Sequence, residues 1–194
     1  MEAFLRRWVR NLLSYFGLYN KDGKLLILGL DNAGKTTLMR MLADDRAAQH
    51  APTQRATSEQ LTFGGIDFHC FDLGGHREAR EVWGDYYVDV AGIIFVVDAA
   101  DRARFGEAKR ELDSLLTDPR LTGVPLVVLG NKIDLAAAAS EQELRSVLGM
   151  TQTTGRNTPM KNFHDGTRPL ELFMCSVVGR SGHVDPIRWL SMYF

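Results

Sequence analysis

The chain has 194 residues, 45% of them hydrophobic, with 23 basic against 24 acidic side chains and a formal net charge of −1. That length predicts one domain with at most an appendage, and a core large enough to fold without metals or disulfides. The near-balance of charge excludes a nucleic-acid binder held by bulk charge and an acid-rich disordered chain.

Taken in chain order, the first segment stands apart. Phe4, Leu5, Trp8, Val9, Leu12, Leu13 and Phe16 recur at helical spacing on one side, with Arg6, Arg7, Arg10, Asn11 and Ser14 elsewhere. Residues 1–24 hold five basic and two acidic groups. Such a basic, aromatic-bearing amphipathic helix fits a membrane surface, and fits equally a helix laid on the domain. No apolar run approaches the roughly 20 residues that span a bilayer. The arginines interrupt any signal-peptide core, and Glu2 in place of glycine argues against N-myristoylation.

Beyond it, short apolar runs alternate with helical stretches. Strands are expected over Lys24–Leu30, Glu59–Phe63, Ile66–Asp72, Gly92–Asp98, Val124–Gly130 and Leu170–Cys175. Helices are expected over Lys35–Leu42, Arg104–Leu116, Glu141–Leu148 and Pro186–Tyr193, the third capped by Ser140. Gly64-Gly65 signals a two-residue hairpin. This alternation predicts an α/β fold, a mostly parallel sheet covered by helices on both faces, with ligands at the carboxyl ends of the strands. Cys70 and Cys175 read as buried thiols. Gly149–Pro169 reads as a long surface loop without chemistry.

Three motifs carry chemistry. Gly29-Leu30-Asp31-Asn32-Ala33-Gly34-Lys35-Thr36 follows a strand and opens a helix, the setting of a phosphate loop. Its backbone N–H groups form an anion-binding nest, Lys35 reaches the β- and γ-phosphates, and the Thr36 hydroxyl suits Mg²⁺. Asp72-Leu73-Gly74-Gly75 ends a strand: Asp72 can hold Mg²⁺ through water, and Gly75 offers a backbone N–H to a γ-phosphate. Asn131-Lys132-Ile133-Asp134 follows another strand. Asp134 can accept from guanine N1 and N2 together, which adenine cannot supply. Asn131 can tie loop to base, and the Lys132 stem can lie over the ring. A carboxylate left unpaired by the wrong base gives strong discrimination.

These residues resemble the small Ras-like GTPases, and within them the ARF/Sar branch. Gly-Leu-Asp-Asn-Ala-Gly-Lys-Thr-Thr at 29–37 with Asp-Leu-Gly-Gly-His at 72–76 is typical of that branch. The nearer likeness is to the Sar type, which initiates COPII coat assembly at the endoplasmic reticulum. It extends through Phe16-Gly17-Leu18-Tyr19, Pro52-Thr53, Thr57-Ser58-Glu59, Val82-Trp83, Phe173-Met174-Cys175-Ser176-Val177 and Arg188-Trp189-Leu190-Ser191. The resemblance implies a Ras-like P-loop GTPase fold: a mostly parallel six-stranded sheet with one antiparallel edge strand. It implies an amphipathic membrane-binding helix over 1–20 and a GTPase domain over 21–194.

It also implies roles. Asp31, Asn32, Ala33, Gly34, Lys35, Thr36 and Thr37 would surround the phosphates. Thr53 would bind Mg²⁺ and γ-phosphate only in the triphosphate state, and Asp31 would join the metal's outer shell. His76 would orient the attacking water, with Lys35, Thr53 and Gly75 completing the catalytic set. Ser176, Val177 and Val178 would line the guanine pocket through backbone groups. No intrinsic arginine finger is expected: Arg55, Arg77 and Arg80 read as surface residues, so turnover should be slow without an activating partner. The implied partners are guanine nucleotide, the endoplasmic-reticulum membrane through residues 1–16, an exchange factor, a GTPase-activating inner-coat subunit and COPII coat proteins, with no nucleic acid. The implied location is the cytosolic face of the endoplasmic reticulum and Golgi membranes. Gln54-Arg55-Ala56 and Arg77 depart from the usual Sar pattern. Competing readings are an ARF-like GTPase at another membrane, a GTP-holding module with little hydrolysis, and another P-loop enzyme such as a nucleotide kinase or ATPase.

Overall fold

The computed structural model describes residues 21–44, 57–63, 66–156 and 168–193. The expected N-terminal helix, Thr53, the Gln54-Arg55-Ala56 run and Gly64-Gly65 lie outside them. The strands are β1 (Lys21–Gly29), β2 (Thr57–Phe63), β3 (Ile66–Asp72), β4 (Val90–Asp98), β5 (Leu126–Asn131) and β6 (Leu170–Met174). The helices are α1 (Lys35–Asp44), α2 (Arg77–Arg80), α3 (Phe105–Thr117), α4 (Glu141–Leu148) and α5 (Val184–Ser191). Single 3₁₀ turns occupy Trp83–Tyr86, Arg102–Arg104 and Pro119–Leu121.

The strands form one six-stranded sheet in the order β2-β3-β1-β4-β5-β6. All neighbours are parallel except the edge strand β2, antiparallel to β3. The expected architecture is therefore the observed one, and the Phe63↔Ile66 pair brackets the expected hairpin.

Each central strand buries both faces by a period-two alternation. Leu26, Leu28, Ile93, Phe95, Leu126 and Val128 pack with Leu112 and Leu115 of α3 and Leu144 and Leu148 of α4. Leu25, Ile27, Ile94, Val96, Val127 and Leu129 pack on the other face with Leu38 and Met41 of α1 and Trp189 and Leu190 of α5. Cys70 and Cys175 form no disulfide and are buried in this second layer, as expected. Burial pushes the Cys175 thiol up to about 12, which keeps it protonated and unreactive. No helix among the described residues is long and apolar enough to cross a membrane.

Several boundaries differ from the sequence reading for local reasons. β1 starts at Lys21, three residues early, because main-chain pairing with β3 carries it through a charged, glycine-bearing stretch. β5 starts at Leu126: Pro125 has no N–H to donate, though its carbonyl accepts from Ile93. α5 starts at Val184, placing Pro186 in the first turn, where a missing N–H costs no helical bond. α4 begins and ends as expected. The Ser140 hydroxyl accepts from the Glu143 N–H, and Gly149 closes the helix in the left-handed region at φ 74°. The first described part of the expected loop, 149–156, is stapled along β6. Arg156 stacks on the Phe173 ring at 4.7 Å, and the Trp189 indole donates to the Gly155 carbonyl at 3.0 Å.

Candidate nucleotide site

The carboxyl ends of β1, β3, β4, β5 and β6 are Gly29, Asp72, Asp98, Asn131 and Met174, gathered on one edge of the sheet. The phosphate loop leaves β1 there. Gly29 has φ 135°, and a Cβ on it would stand 2.1 Å from the Val96 carbonyl oxygen, so only glycine lets the chain turn off the sheet here. Asn32 and Gly34 also take positive φ, at 61° and 100°. The loop curls back on itself, with the Ala33 N–H donating to the Leu30 carbonyl at 3.3 Å. α1 starts at Lys35, so its first-turn N–H groups and dipole face the loop's hollow.

Lys35 is 5% exposed and its ammonium donates to the Leu30 carbonyl at 2.9 Å. Burial pushes its pKa down from 10.5 to about 8, with Asp72 and Asp31 partly opposing. The Thr36 hydroxyl donates to a carboxylate oxygen of the fully buried Asp72 at 2.5 Å. A hydroxyl and a carboxylate converging beside a phosphate cradle are hard oxygen donors, the chemistry Mg²⁺ accepts. These residues fit the ion that the sequence suggested.

A testable consequence concerns protons. Between about pH 8 and 10.5 the folded, ligand-free chain releases a Lys35 proton that the unfolded chain keeps. This group therefore adds stability as pH rises through that window. Phosphates placed against the amine restore its charge. GDP binding is expected to take up close to one proton at about pH 9 and almost none at about pH 7. Calorimetry in buffers of different ionisation enthalpy measures this. Equal uptake at both values would contradict it.

At the other end, Asn131 is 3% exposed and joins two loops. Its amide nitrogen donates to the Ala33 carbonyl at 2.9 Å, and its amide oxygen accepts from the Val177 N–H at 3.0 Å. Gly34 lies against the same side chain, its would-be Cβ 2.4 Å from the Asn131 amide nitrogen. The Asp134 carboxylate accepts the Ser176 hydroxyl, which in turn accepts from the Gly179 N–H at 2.8 Å. Ser176 thus contributes its side chain, where the sequence reading gave it only a backbone role. Val177 is buried and Val178 is 62% exposed. Lys132, at φ 69°, holds Asp98 at 2.6 Å.

The segment after Asp72 lies directly on the phosphate loop. A Cβ on Gly75 would stand 2.3 Å from the Asp31 nitrogen, so only glycine admits this approach. The Trp83 indole donates to the Gly74 carbonyl at 3.0 Å. Because the peptide is planar, anchoring that carbonyl also fixes the direction of the Gly75 N–H. His76 flanks the start of α2 in extended conformation, and its side chain does not cap the helix.

Three participants make contacts that the sequence did not foretell. Arg104 reaches Asp31 at 2.8 Å and Glu107 at 2.8 Å. Its hydrogen bond holds the Asp31 carboxyl below the usual carboxylate range, so this carboxylate already has a cationic partner. Trp83 and Arg80 are the others. Arg80 was expected at the surface. Its side chain is only 10% exposed, paired with Glu107 at 2.8 Å and Glu111 at 3.3 Å. The acids of α3 draw it inward.

The family model described as the ADP-ribosylation factor family matches residues 9–194. The chain belongs to this family. Among curated members of the ADP-ribosylation factor family, it is 42% identical over 187 residues to the "Small COPII coat GTPase SAR1" of Giardia intestinalis, covering 96% of this chain and 97% of the relative. It is 42% identical over 195 residues to the protein of the same name from Nicotiana tabacum, covering 98% of each. The Arl6 BBS3 small GTPase of Trypanosoma brucei, solved with the nucleotide analogue GppNp, matches with a TM-score of 0.74 at 28% identity. That match covers 88% of this chain and 96% of that one. Within the ADP-ribosylation factor family the chain is a small GTPase of the Sar type, with the Ras-like fold.

Proposed function

We propose that this chain is a membrane-recruited GTP switch that initiates COPII coat assembly on the endoplasmic reticulum; its relatives from Giardia intestinalis and Nicotiana tabacum are named as small COPII coat GTPases. The observation that carries the nucleotide chemistry is the Asn131 staple. One buried amide ties the phosphate loop at Ala33 to the base loop at Val177, setting a cleft with a cationic cradle at one end and Asp134 at the other. This favours guanine nucleotide over the kinase and ATPase readings, because Asp134 selects the purine.

In this reading Lys35 and the loop amides bind the β- and γ-phosphates, and the Gly75 N–H receives the γ-phosphate. His76 places the attacking water, with the Thr53 backbone as its second partner. Thr36 and Asp72 would hold Mg²⁺, with Thr53 joining in the triphosphate state and Asp31 beyond them. The ion supplies charge neutralisation at the transferring phosphoryl group. The described residues of the site include Arg80 and Arg104, both already engaged by carboxylates. An activating partner, here the inner coat, therefore supplies the missing cation.

The domain division proposed is a membrane-binding helix over 1–20 and a GTPase domain over 21–194. γ-Phosphate binding orders both switch segments and shifts the helix from the domain to lipid. Flotation on liposomes tests this with GTP and GDP analogues, for the full chain and for one lacking residues 1–16. Binding by the full chain with the GTP analogue alone is expected. Equal flotation in all four samples would overturn the switch.

A further inference from the structure

The charged side chains between the phosphate loop and α2 form a closed ring. Asp31 holds Arg104 at 2.8 Å, and Arg104 holds one oxygen of Glu107 at 2.8 Å. The other Glu107 oxygen holds Arg80 at 2.8 Å, and Arg80 donates to the Gly75 carbonyl at 3.3 Å. Gly75 closes the ring by lying against the Asp31 backbone. The Arg80 guanidinium spends its third edge on Glu111 at 3.3 Å. Two carboxylates of α3 hold the Nε and Nη2 sides of this planar fork, and Nη1 donates to the Gly75 carbonyl.

That carbonyl belongs to the peptide joining Gly75 to His76. Peptide planarity means that whatever orients the carbonyl also orients the His76 N–H and places the His76 Cα. Trp83 orients the preceding peptide, so the two units on either side of Gly75 are set by different side chains. Stability alone is a poor reason for the arrangement. Partly exposed ion pairs contribute little, and an apolar side chain at position 80 would pack at lower desolvation cost.

We propose that Arg80 is a positioning residue for hydrolysis. It holds the Gly75–His76 peptide so that His76 faces the attacking water, with Glu107 and Glu111 fixing Arg80 and Arg104 tying the assembly to the phosphate loop. The inference rests on the reading of His76 as the residue that places water.

Single-turnover GTP hydrolysis tests it in a four-variant cycle: parent, Arg80→Ala, His76→Gly and the double variant, with GTP and GDP affinity and melting temperature measured on each. Arg80→Ala is expected to slow hydrolysis about tenfold with both affinities within about twofold of the parent. Arg80→Lys recovers part of the rate, since a point charge replaces the fork. Glu107→Gln slows hydrolysis in the same sense and by less. The deciding comparison is the double variant. Acting through His76, Arg80→Ala has no further effect once His76 is gone. A purely structural role makes the two losses multiply. A slowed His76→Gly in which the Arg80→Ala loss persists would overturn this inference alone. A His76→Gly rate equal to the parent's would overturn the role of His76 and this inference with it. No rate loss in Arg80→Ala would overturn the inference directly.

Discussion

Asp134→Ala is expected to weaken GTP and GDP binding by about 10³-fold. Hydrogen bonds to an ionised partner contribute roughly 1.5–3 kcal/mol each, and guanine offers two donors to this carboxylate, giving a range of about 10²–10⁴. The loss has a second part. Asp134 is also the acceptor of the Ser176 hydroxyl, so its removal releases that hydroxyl and leaves the loop held at Val177 by Asn131. ATP, which cannot satisfy the carboxylate, should bind no worse to the variant than to the parent. Displacement of labelled GDP by each nucleotide measures both. A guanine loss under about tenfold, or an equal loss for ATP, would remove Asp134 as the base selector.

His76→Gly is expected to cost about 10²-fold in the hydrolytic step, the lower range for a positioned group handling the attacking water. GTP affinity should be unchanged, because in the proposed function the loop amides, Lys35 and Gly75 hold the phosphates. This split separates a hydrolysing switch from a module that merely holds GTP. Phosphate release in a single turnover, with and without an activating partner, provides the measurement. If both rates match the parent's, His76 has no part in the reaction.

What the sequence disclosed follows from range. The phosphate loop, the strand-end carboxylate and the base-reading loop are contiguous motifs at strand ends, each interpretable within ten residues. Buried parallel strands such as Ile93–Val97 announce themselves because both faces must be apolar. The Ser140 cap is a local signal and was found. The Arg104–Asp31 pair spans 73 positions, and no periodicity foretells which of many surface charges will meet across the sheet edge. Arg80 was misplaced for the same reason: only the tertiary fold reveals Glu107 and Glu111 beside it. The start of β1 escaped because Lys21, Asp22 and Gly23 have poor strand preference, and main-chain pairing with β3 recruits them.

The Asn131 staple has a further consequence for how the occupant departs. Cradle and purine clamp share one amide, so neither jaw can spread without dragging on its counterpart. In the proposed function a catalyst of exchange need pry at a single rim: drawing the Ala33 carbonyl away would pull on the Asn131 side chain that also holds Val177.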